Sequence, residues 1–317
     1  MDQIKDALVY LLTPSTTIFV VGGLIVLLMP ILVHIFVQQT TPYTTLPSIL
    51  LAGPPGGGKT ALLTLLERGD AGPAATRTSQ APQSVELTAS NDGGKPLPFR
   101  IAARDDAPGT HRKFLLLDTP GHGKLRNQHA LAHIAAAGKG KGKGGKTGKK
   151  DVTKDEGRLQ GIVFVVDAAA LDDSSNANNS AGSMAAAAEY LYEVLLALQR
   201  RTGSGRTSKA PRAVHVLVAA NKADLFTALP ASLVKSGLEA ELGRIRSSRS
   251  RGLLGSDVAG GPQDADDDDE ESWLGAYGSE KFAFGQMREF DVEVDVIGGS
   301  VLEGNVDKWW EWISERI

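Results

Sequence analysis

The sequence predicts a doubly wound α/β domain with a mostly parallel sheet, preceded by one N-terminal transmembrane helix. Three observations support this fold class. Residues 53–60 read G-x-x-x-x-G-K-[ST] and stand between an apolar run and a segment with helical apolar spacing. Two later apolar runs lead directly into polar motifs at Asp118 and Asn221, as parallel strands do at the carboxyl edge of such a sheet. Residues 16–37 contain no acidic residue, Lys or Arg.

The composition sets wide limits. The chain has 317 residues, enough for one large domain or two ordinary ones, and its 42% of hydrophobic residues are ample for a core. A formal net charge of −3 gives no indication of a nucleic-acid partner. Because there is no cysteine, disulfides and thiolate metal sites are excluded.

Residues 16–37 are predicted to cross a membrane. A helix of this length is about 33 Å long, and a hydrocarbon core is about 30 Å thick. A cleavable signal peptide is the main alternative, but the first six residues lack the basic cluster of such a peptide and the apolar run is too long. The predicted organisation is a short lumenal N-terminus over 1–15, the span over 16–37, a linker over 38–45 and a folded domain over 46–317.

The 53–60 motif predicts a phosphate-binding loop. The run 46–52 reads as a buried strand and 61–68 as a helix, a context that argues against a chance glycine-rich turn. Backbone N–H groups and the positive helix end bind phosphate oxygens in such a loop. Lys59 is expected to reach the β- and γ-phosphates, and the Thr60 hydroxyl to ligate Mg²⁺. The predicted cofactor-binding residues of the loop are Gly53, Gly56, Gly57, Gly58, Lys59 and Thr60.

Residues 69–98 are rich in Gly, Pro, Ser, Thr and Ala, with one alternating piece at 84–88. In a nucleotide switch protein the first switch loop lies here, and a Thr or Ser in it binds Mg²⁺ in the triphosphate state. Thr76, Thr78 and Ser79 are the candidates, and Thr78 is taken as the predicted metal ligand. The alternative is a loop with no ligand among them.

A D-x-x-G element follows the second of two predicted strands, 98–103 and 113–117. Asp118 is placed to hold Mg²⁺ through water, and the N–H of Gly121 to contact the γ-phosphate. His122 stands where small GTPases usually carry a water-orienting Gln. Gly121 and His122 are therefore the predicted catalytic residues, and Asp118 is a predicted metal ligand.

An N-K-x-D element follows a buried strand predicted over 213–220. The Asp224 carboxylate can accept the N1–H and the 2-amino group of guanine, a pair that adenine lacks. Asn221 contacts the base and braces the phosphate loop, and the Lys222 stem covers the ring. A helix-capping Asn-Asp turn is the alternative. Ser300 lies after a last strand predicted over 290–297, where GTPases carry a loop whose backbone reads guanine O6.

The remaining segments complete the domain. A strand is predicted over 160–167 and core-packing helices over 184–200 and 306–317. Low-complexity insertions are predicted at about 138–157 and 245–285. The first contains a basic Gly/Lys loop, 138–150, for which a solvated spacer is favoured over contact with anionic lipid or RNA. The second contains an acidic run, 264–271, that follows the basic tail of a helix predicted over 225–251.

These features resemble the β subunit of the signal recognition particle receptor, a family of membrane-anchored small GTPases of the endoplasmic reticulum. The resemblance rests on the N-terminal span, on residues 53–60 and 221–224, on the run Asp-Thr-Pro-Gly-His at 118–122 with Lys-Leu-Arg at 124–126, and on the tryptophan-rich end at 306–313. It covers nearly the whole chain except the two insertions. Pro-Gly-His in place of Gly-Gln and the N-terminal anchor make it more specific than the nucleotide motifs alone.

The resemblance implies a P-loop GTPase domain that binds GTP or GDP with Mg²⁺ and forms a GTP-dependent complex with the receptor's α subunit. The signal recognition particle, the ribosome and the translocon are then indirect partners, and no direct sequence-specific contact with nucleic acid is expected. The implied location is the endoplasmic reticulum membrane, crossed once, with the GTPase domain in the cytosol where GTP and Mg²⁺ are available. Hydrolysis is expected to be slow or partner-dependent.

Three alternative classes share part of this pattern. Translational GTPases carry Asp-Thr-Pro-Gly-His but also further β-barrel domains, and no strand-rich tail follows here. An Arf- or Sar-like trafficking GTPase anchors through an amphipathic helix or a myristoylated glycine, whereas Asp2 follows the initiator Met and the anchor is apolar all round. A GTP-binding scaffold with little hydrolysis is the third, because His122 replaces the usual Gln.

Overall fold

The computed structural model of the chain describes residues 16–40, 46–69, 72–90, 97–98, 111–138, 159–171, 183–203, 213–256, 274–275 and 281–317. The chain divides into two compact units, Met1–Thr44 and Thr45–Ile317. The predicted lumenal segment 1–15 lies outside the described residues, as does most of the predicted linker.

Within the first unit, the described residues form one helix, α1 (Thr16–Thr40), with Pro30 inside it. Its described apolar side chains are largely exposed, from Val20 and Leu24 to Val33. Over the described part of the chain, no helix meets the combined requirement of length and hydropathy for crossing a membrane.

The second unit is built on a seven-stranded sheet with the order β3-β2-β4-β1-β5-β6-β7. The strands are β1 (Ser48–Ala52), β2 (Gln83–Ser90), β3 (Leu97–Pro98), β4 (His111–Asp118), β5 (Leu159–Asp167), β6 (Val214–Asn221) and β7 (Val292–Gly298). The five neighbouring strands from β4 to β7 in this order run parallel, while β2 pairs antiparallel with β3 and β4. The predicted mostly parallel sheet is confirmed.

Helical segments connect the strands. They are α2 (Lys59–Arg68), α3 (Gly123–Arg126), a π-helical turn (Asn127–Leu131), α4 (Ala132–Gly138), α5 (Met184–Gly203), α6 (Ala231–Ser256), a 3₁₀ segment (Phe284–Phe290) and α7 (Asp307–Glu315). The helices α2, α5 and α7 lie near the predicted bounds 61–68, 184–200 and 306–317. The helix α6 begins later than the predicted helix and extends beyond its predicted end at 251. The helical segments over 123–138 and 284–290 were not predicted.

Two hydrophobic cores lie on opposite faces of the sheet because successive strand side chains point to opposite sides. Ile49 and Leu51 of β1 belong to the core that includes the leucines of α2 and the tryptophans of α7. Leu50 and Ala52 belong to the other core, with residues of α4, α5 and α6. Helices thus cover both faces, as the doubly wound prediction requires.

The two predicted insertions and one predicted strand differ in how much of them is described. Residues 139–158 lie outside the described part, and most of the Gly/Lys loop falls there. The segment predicted as an insertion at about 245–285 contributes to the folded domain. Within it, α6 continues to Ser256, and Leu274, Phe282 and Phe284 are buried in the core. Of the predicted strand 98–103, only residue 98 is described, as the end of β3.

The parallel strands place several polar residues at one edge of the sheet. The register pairs Leu51 with Asp118 and Asp167 with Asn221, and both pairs lie at the carboxyl ends of their strands. Gly298 ends β7 beside Ala220. Sites of open α/β sheets lie in the crevice outside this edge, so the fold brings the three predicted nucleotide motifs to one place.

Candidate nucleotide-binding site

The phosphate loop joins β1 to α2 through a left-handed turn. Gly58 caps the N-terminus of α2 with φ 101°, a region where a side chain is strained. A Cβ at this position would lie 2.2 Å from the Asn221 Nδ2 atom. Only glycine therefore permits the loop and the N-K-x-D element to approach this closely.

Lys59 is buried against the loop that it follows. Its Nζ donates to the carbonyl oxygens of Gly53 and Pro54, both at 2.8 Å. An ammonium group has three donors, so one remains for a ligand. Burial lowers the pKa of Lys59 to about 8, opposed by the nearby Asp118 carboxylate. A phosphate group would restore the charged form because an anion favours the ammonium ion.

Thr60 and Asp118 form the part of the site that fits a cation. The Thr60 hydroxyl donates to Asp118 Oδ2 at 2.6 Å. Asp118 is fully buried, and its Oδ1 atom has no hydrogen-bond partner within the described residues. Burial raises the pKa of this carboxyl, while the bond from Thr60 and the charge of Lys59 oppose the shift. A hydroxyl beside a carboxylate with a buried free oxygen is a donor set that suits Mg²⁺.

The first switch loop and Gly121 close a pocket over the phosphate loop. The lining residues are Pro55, Gly56, Gly58, Lys59, Thr60, Ala61, Thr76, Arg77, Thr78, Ser79 and Gly121. All three predicted switch hydroxyls thus belong to residues that line the same pocket as Lys59. A Cβ on Gly121 would lie 2.6 Å from the Gly53 carbonyl oxygen and 2.7 Å from Lys59 Nζ. The D-x-x-G turn therefore packs directly against the phosphate loop.

His122 takes a different position from its neighbour Gly121. Its side chain is exposed, and it does not belong to the described lining of the pocket. Its carbonyl accepts the N–H groups of Leu125 and Arg126 at 2.9 Å and so begins α3. The structure gives His122 a helix-starting role and leaves its predicted catalytic role as a prediction.

The base-binding end is held by internal hydrogen bonds. Asn221 Nδ2 donates to the Gly57 carbonyl at 2.8 Å, and Asn221 Oδ1 accepts the Val301 N–H at 3.0 Å. The Ser300 hydroxyl donates to Asp224 Oδ1 at 2.6 Å. The structure thus brings Asn221, Asp224 and Ser300 together and ties them to the phosphate loop.

Lys222 is fixed by its backbone and by an ion pair. It has φ 66°, an uncommon value for a residue with a side chain. Its ammonium group pairs with Asp167 Oδ2. Asp167 Oδ1 accepts the N–H groups of Ala169 and Ala170 at 3.1 and 3.3 Å. The carboxylate that orients Lys222 is therefore itself held by the chain.

Sequence reasoning missed two residues of this site, Asp167 and Arg77. The position of Asp167 carries a signal, since it ends a buried strand as Asp118 and Asn221 do. Arg77 lies between two candidate hydroxyls, but a basic residue in a Gly/Pro-rich loop gives no local sign of facing a pocket.

The sheet order, the phosphate loop and the guanine-type element define a P-loop protein of the small GTPase class. A family model described as signal recognition particle receptor beta subunit matches residues 44–140 and 148–291, more than half of the chain. The chain belongs to this family.

Relatives agree with this assignment. The signal recognition particle receptor subunit beta of Saccharomyces cerevisiae is 29% identical over 272 residues, covering 86% of this chain and 84% of its own length. The receptor SRb-GTP/SRX complex from Chaetomium thermophilum is 42% identical with a TM-score of 0.64, covering 86% of this chain and 100% of that one. The SRb-GDP-Mg structure from the same organism is 41% identical with a TM-score of 0.58, covering 87% of this chain and 100% of that one.

Proposed function

We propose that this chain is a GTP-binding β subunit of the signal recognition particle receptor that alternates between GTP and GDP with Mg²⁺. The convergence of Lys59, Thr60, Asp118 and the Asn221–Asp224–Ser300 group at one sheet edge carries the proposal. Similar proteins solved with GTP and with GDP and Mg support the choice of ligand.

At the phosphate-binding end, hydrogen-bond donors of the chain itself bind the phosphate oxygens. Lys59 contributes its third N–H, and the backbone of the phosphate loop contributes N–H groups from Gly56 onward because Pro54 and Pro55 have none. Thr60 and Asp118 would hold Mg²⁺, with Thr78 as the predicted further ligand from the switch loop. Mg²⁺, when bound, neutralises charge on the phosphate oxygens.

The base end selects guanine. Asp224 accepts from the N1–H and the 2-amino group, and Ser300 fixes the carboxylate by donating to its Oδ1. Asp167 holds Lys222, whose stem covers the ring. A site built to bond these two donors rejects a base that lacks them, because its acceptors would stay unpaired.

The partner of the GTP form is the receptor's α subunit. A related chain has been solved as an SRb-GTP/SRX complex. In this chain, Thr76, Thr78 and Ser79 line the phosphate pocket, so γ-phosphate and Mg²⁺ contacts can order the switch loop. Ordering a residue costs about 1–2 kcal/mol, and a partner that needs the ordered loop therefore binds the GTP form more tightly.

The membrane anchor is also part of the proposal. The apolar, uncharged sequence of 16–37 supports a single span in the endoplasmic reticulum membrane, with residues 1–15 in the lumen. The GTPase domain then faces the cytosol, where GTP is available.

A second candidate function is a GTP-dependent scaffold with little turnover. The exposed position of His122 favours it, because a water-orienting side chain must reach the pocket. In this case the α subunit would still bind in a GTP-dependent way, and hydrolysis would contribute little to release.

Binding of labelled GTP and GDP by the full chain in detergent, with and without a candidate α subunit, tests the proposal. We expect both nucleotides to bind and the α subunit to be captured by the GTP form alone. Thr60→Asn should abolish capture, because Asn cannot reproduce the Mg²⁺-ligating hydroxyl. Equal capture by the GTP and GDP forms would refute the switch.

The preference for guanine over other bases is tested by a substitution at Asp224 with a matched control. Asp224→Asn replaces the acceptor with an amide, so preference should move from GTP toward XTP. The exposed Asp307 on α7 offers a matched control, since Asp307→Asn should leave the GTP preference unchanged. Unaltered GTP preference in Asp224→Asn would show that the guanine assignment is wrong.

A further inference from the structure

One positive charge in the phosphate pocket has no role in the site as described so far. Arg77 lies between Thr76 and Thr78 and lines the pocket together with Lys59, Thr60 and Gly121. It is exposed, and no carboxylate in the described part of the chain pairs with it. An exposed guanidinium group on a residue that lines a phosphate site, with no counter-charge in the described part of the chain, is available to the ligand.

Three other cations near the site, Arg126, Lys222 and Lys59, already have partners in the protein. Arg126 donates to Glu193 at 3.1 Å and lies over the Tyr190 ring at 5.0 Å. Lys222 pairs with Asp167, and Lys59 uses two of its donors on backbone carbonyls. The described pocket lining contains two basic residues, Lys59 and Arg77, and of these Arg77 has no hydrogen bond or ion pair to a described residue.

Hydrolysis of GTP creates the charge that such a group can stabilise. A water oxygen forms a bond to the γ-phosphorus, and the bond from that phosphorus to the β–γ bridging oxygen breaks. The bonding electron pair stays on the bridging oxygen, which becomes a terminal oxygen of GDP, and both protons of the water leave on the inorganic phosphate. Negative charge therefore grows on the bridging oxygen as the reaction proceeds.

We propose that Arg77 is a catalytic residue that stabilises this growing charge in cis from the first switch loop. The proposal rests on the proposed function, because it requires GTP in the pocket. Arginine suits the role since it stays protonated and offers a planar fork of donors to phosphate oxygens. An arginine that acts in this way raises hydrolysis by about 10³–10⁵-fold.

The position of Arg77 also predicts when it acts. Thr76 and Thr78 flank it in the lining of the same pocket, so ordering of the switch loop by γ-phosphate and Mg²⁺ also holds Arg77 beside the pocket. Binding of the triphosphate therefore brings Arg77 into place for hydrolysis. GDP offers no γ-phosphate, so Arg77 should contribute little to GDP affinity.

The test compares Arg77→Ala and Arg77→Lys with the unaltered full chain. Arg112→Ala serves as the matched control, since Arg112 is an exposed arginine of β4 outside the described pocket lining. Three quantities are measured, with and without the α subunit: single-turnover GTP hydrolysis, the Kd for GDP, and the Kd for GDP with aluminium fluoride, which mimics the transferring phosphoryl group.

We expect Arg77→Ala to slow hydrolysis by at least roughly 100-fold, to change the GDP Kd by less than about twofold, and to lose aluminium fluoride binding. Arg77→Lys should recover part of the rate, because it keeps the charge without the fork. Arg112→Ala should match the unaltered chain in all three measurements.

Three outcomes would overturn the proposal. Arg77→Ala could keep both the hydrolysis rate and the fluoride complex, its affinity for GDP could fall in parallel with the rate, or Arg112→Ala could show the same losses. If the unaltered chain shows no turnover, fluoride binding still decides the question. Failure of the unaltered chain to bind GTP at all would instead refute the proposed function.

Discussion

The base-binding end and the phosphate-binding end of the nucleotide site differ in how many of their polar groups have hydrogen-bond or ion-pair partners when no ligand is bound. At the base end, Asn221 and Asp224 have internal partners at 2.6 to 3.0 Å. At the phosphate end, Asp118 Oδ1 has no partner in the described chain, Arg77 has no counter-charge there, and burial lowers the pKa of Lys59.

This difference separates stability from affinity. Groups that are already bonded stabilise the fold whether or not a nucleotide is present. Groups that are desolvated, such as Asp118 Oδ1 and the Lys59 ammonium group, or that lack a counter-charge, such as Arg77, gain most when the ligand arrives. We therefore expect substitutions at the phosphate end to change ligand binding most, and substitutions at the base end to change the empty protein as well.

The largest expected effect is on nucleotide affinity in Lys59→Met. This change removes a charged donor to phosphate, and we expect a loss of about 3 kcal/mol, more than a hundredfold in the Kd for GTP. The melting temperature of the ligand-free protein should change little, because relief of the buried ammonium group offsets two lost hydrogen bonds and the lost attraction to Asp118. Calorimetric titration and thermal melts with and without GTP measure both quantities.

A large drop in the ligand-free melting temperature of Lys59→Met would contradict the comparison, since it would make the phosphate end a source of fold stability. Arg68→Met, at the exposed C-terminal end of the same helix α2, serves as the control. It also replaces a basic side chain with Met, but outside the pocket lining, so it should leave affinity unchanged.

The next effect is on the stability of the empty protein in Asn221→Ala. The change leaves the Gly57 carbonyl and the Val301 N–H without their partner, and each loss costs about 1 kcal/mol or more. We expect the free energy of unfolding to fall by roughly 2 kcal/mol. Urea unfolding without nucleotide measures it, with Asn127→Ala, which removes an exposed amide, as the control. Equal unfolding free energies for Asn221→Ala and the unaltered chain would contradict the prediction.

A third prediction concerns pH. Because the pKa of Lys59 is about 8 in the empty site, bound phosphate must draw a proton onto it at higher pH. Affinity for GDP should therefore fall by roughly tenfold between about pH 7 and pH 9. Lys59→Arg should flatten this profile, since a guanidinium group keeps its proton. A flat profile in the unaltered protein would contradict the prediction.

The lowered pKa of Lys59 affects the stability of the empty protein in the opposite direction from its effect on affinity. The unfolded chain holds the Lys59 proton up to its ordinary pKa of 10.5, whereas the folded chain loses it near 8. Between these values the unfolded state binds more protons, so this group makes the empty protein more stable as pH rises. Affinity and stability should therefore move in opposite directions over this range.

The smallest expected effect is that of Ser300→Ala. The Asp224 carboxylate would lose one donor but stay accessible to water, so we expect about 1 kcal/mol, close to fivefold in the Kd for GTP. Ser236→Ala on α6 is the matched control, since its hydroxyl donates only to a nearby helix carbonyl. An effect as large as that of Lys59→Met would mean that the base end also depends on the ligand.

Much of the fold was predictable because the motifs fix strand ends. An apolar run that stops at Asp118 or Asn221 marks the carboxyl edge of a parallel sheet, and the spacing of leucines marks α2. The extent of α6 was not predictable in this way. Arg246 reads as part of a basic, solvated tail, yet it is buried, lies over the Phe282 ring and donates to the Leu274 carbonyl. These partners lie 28 residues or more away in the chain, and no local pattern reveals them.

The functional site was also only partly predictable from the sequence. Residues with a motif, such as Lys59 and Asp224, could be predicted because the chemistry needs that residue type at that spacing. Asp167 pairs with Lys222, and Arg77 lines the phosphate pocket, so both are placed at the site by tertiary structure. Their roles follow from strand order and loop position, which the sequence does not express locally.

The amide of Asn221 has a consequence for how quickly nucleotide leaves. Through one side chain, it joins the phosphate loop at Gly57 to the loop after β7 at Val301. Disturbing either loop therefore loosens the other, and escape of the nucleotide becomes one concerted event instead of two independent ones. An exchange factor that binds and displaces only one of the two loops would therefore shorten the lifetime of bound GDP.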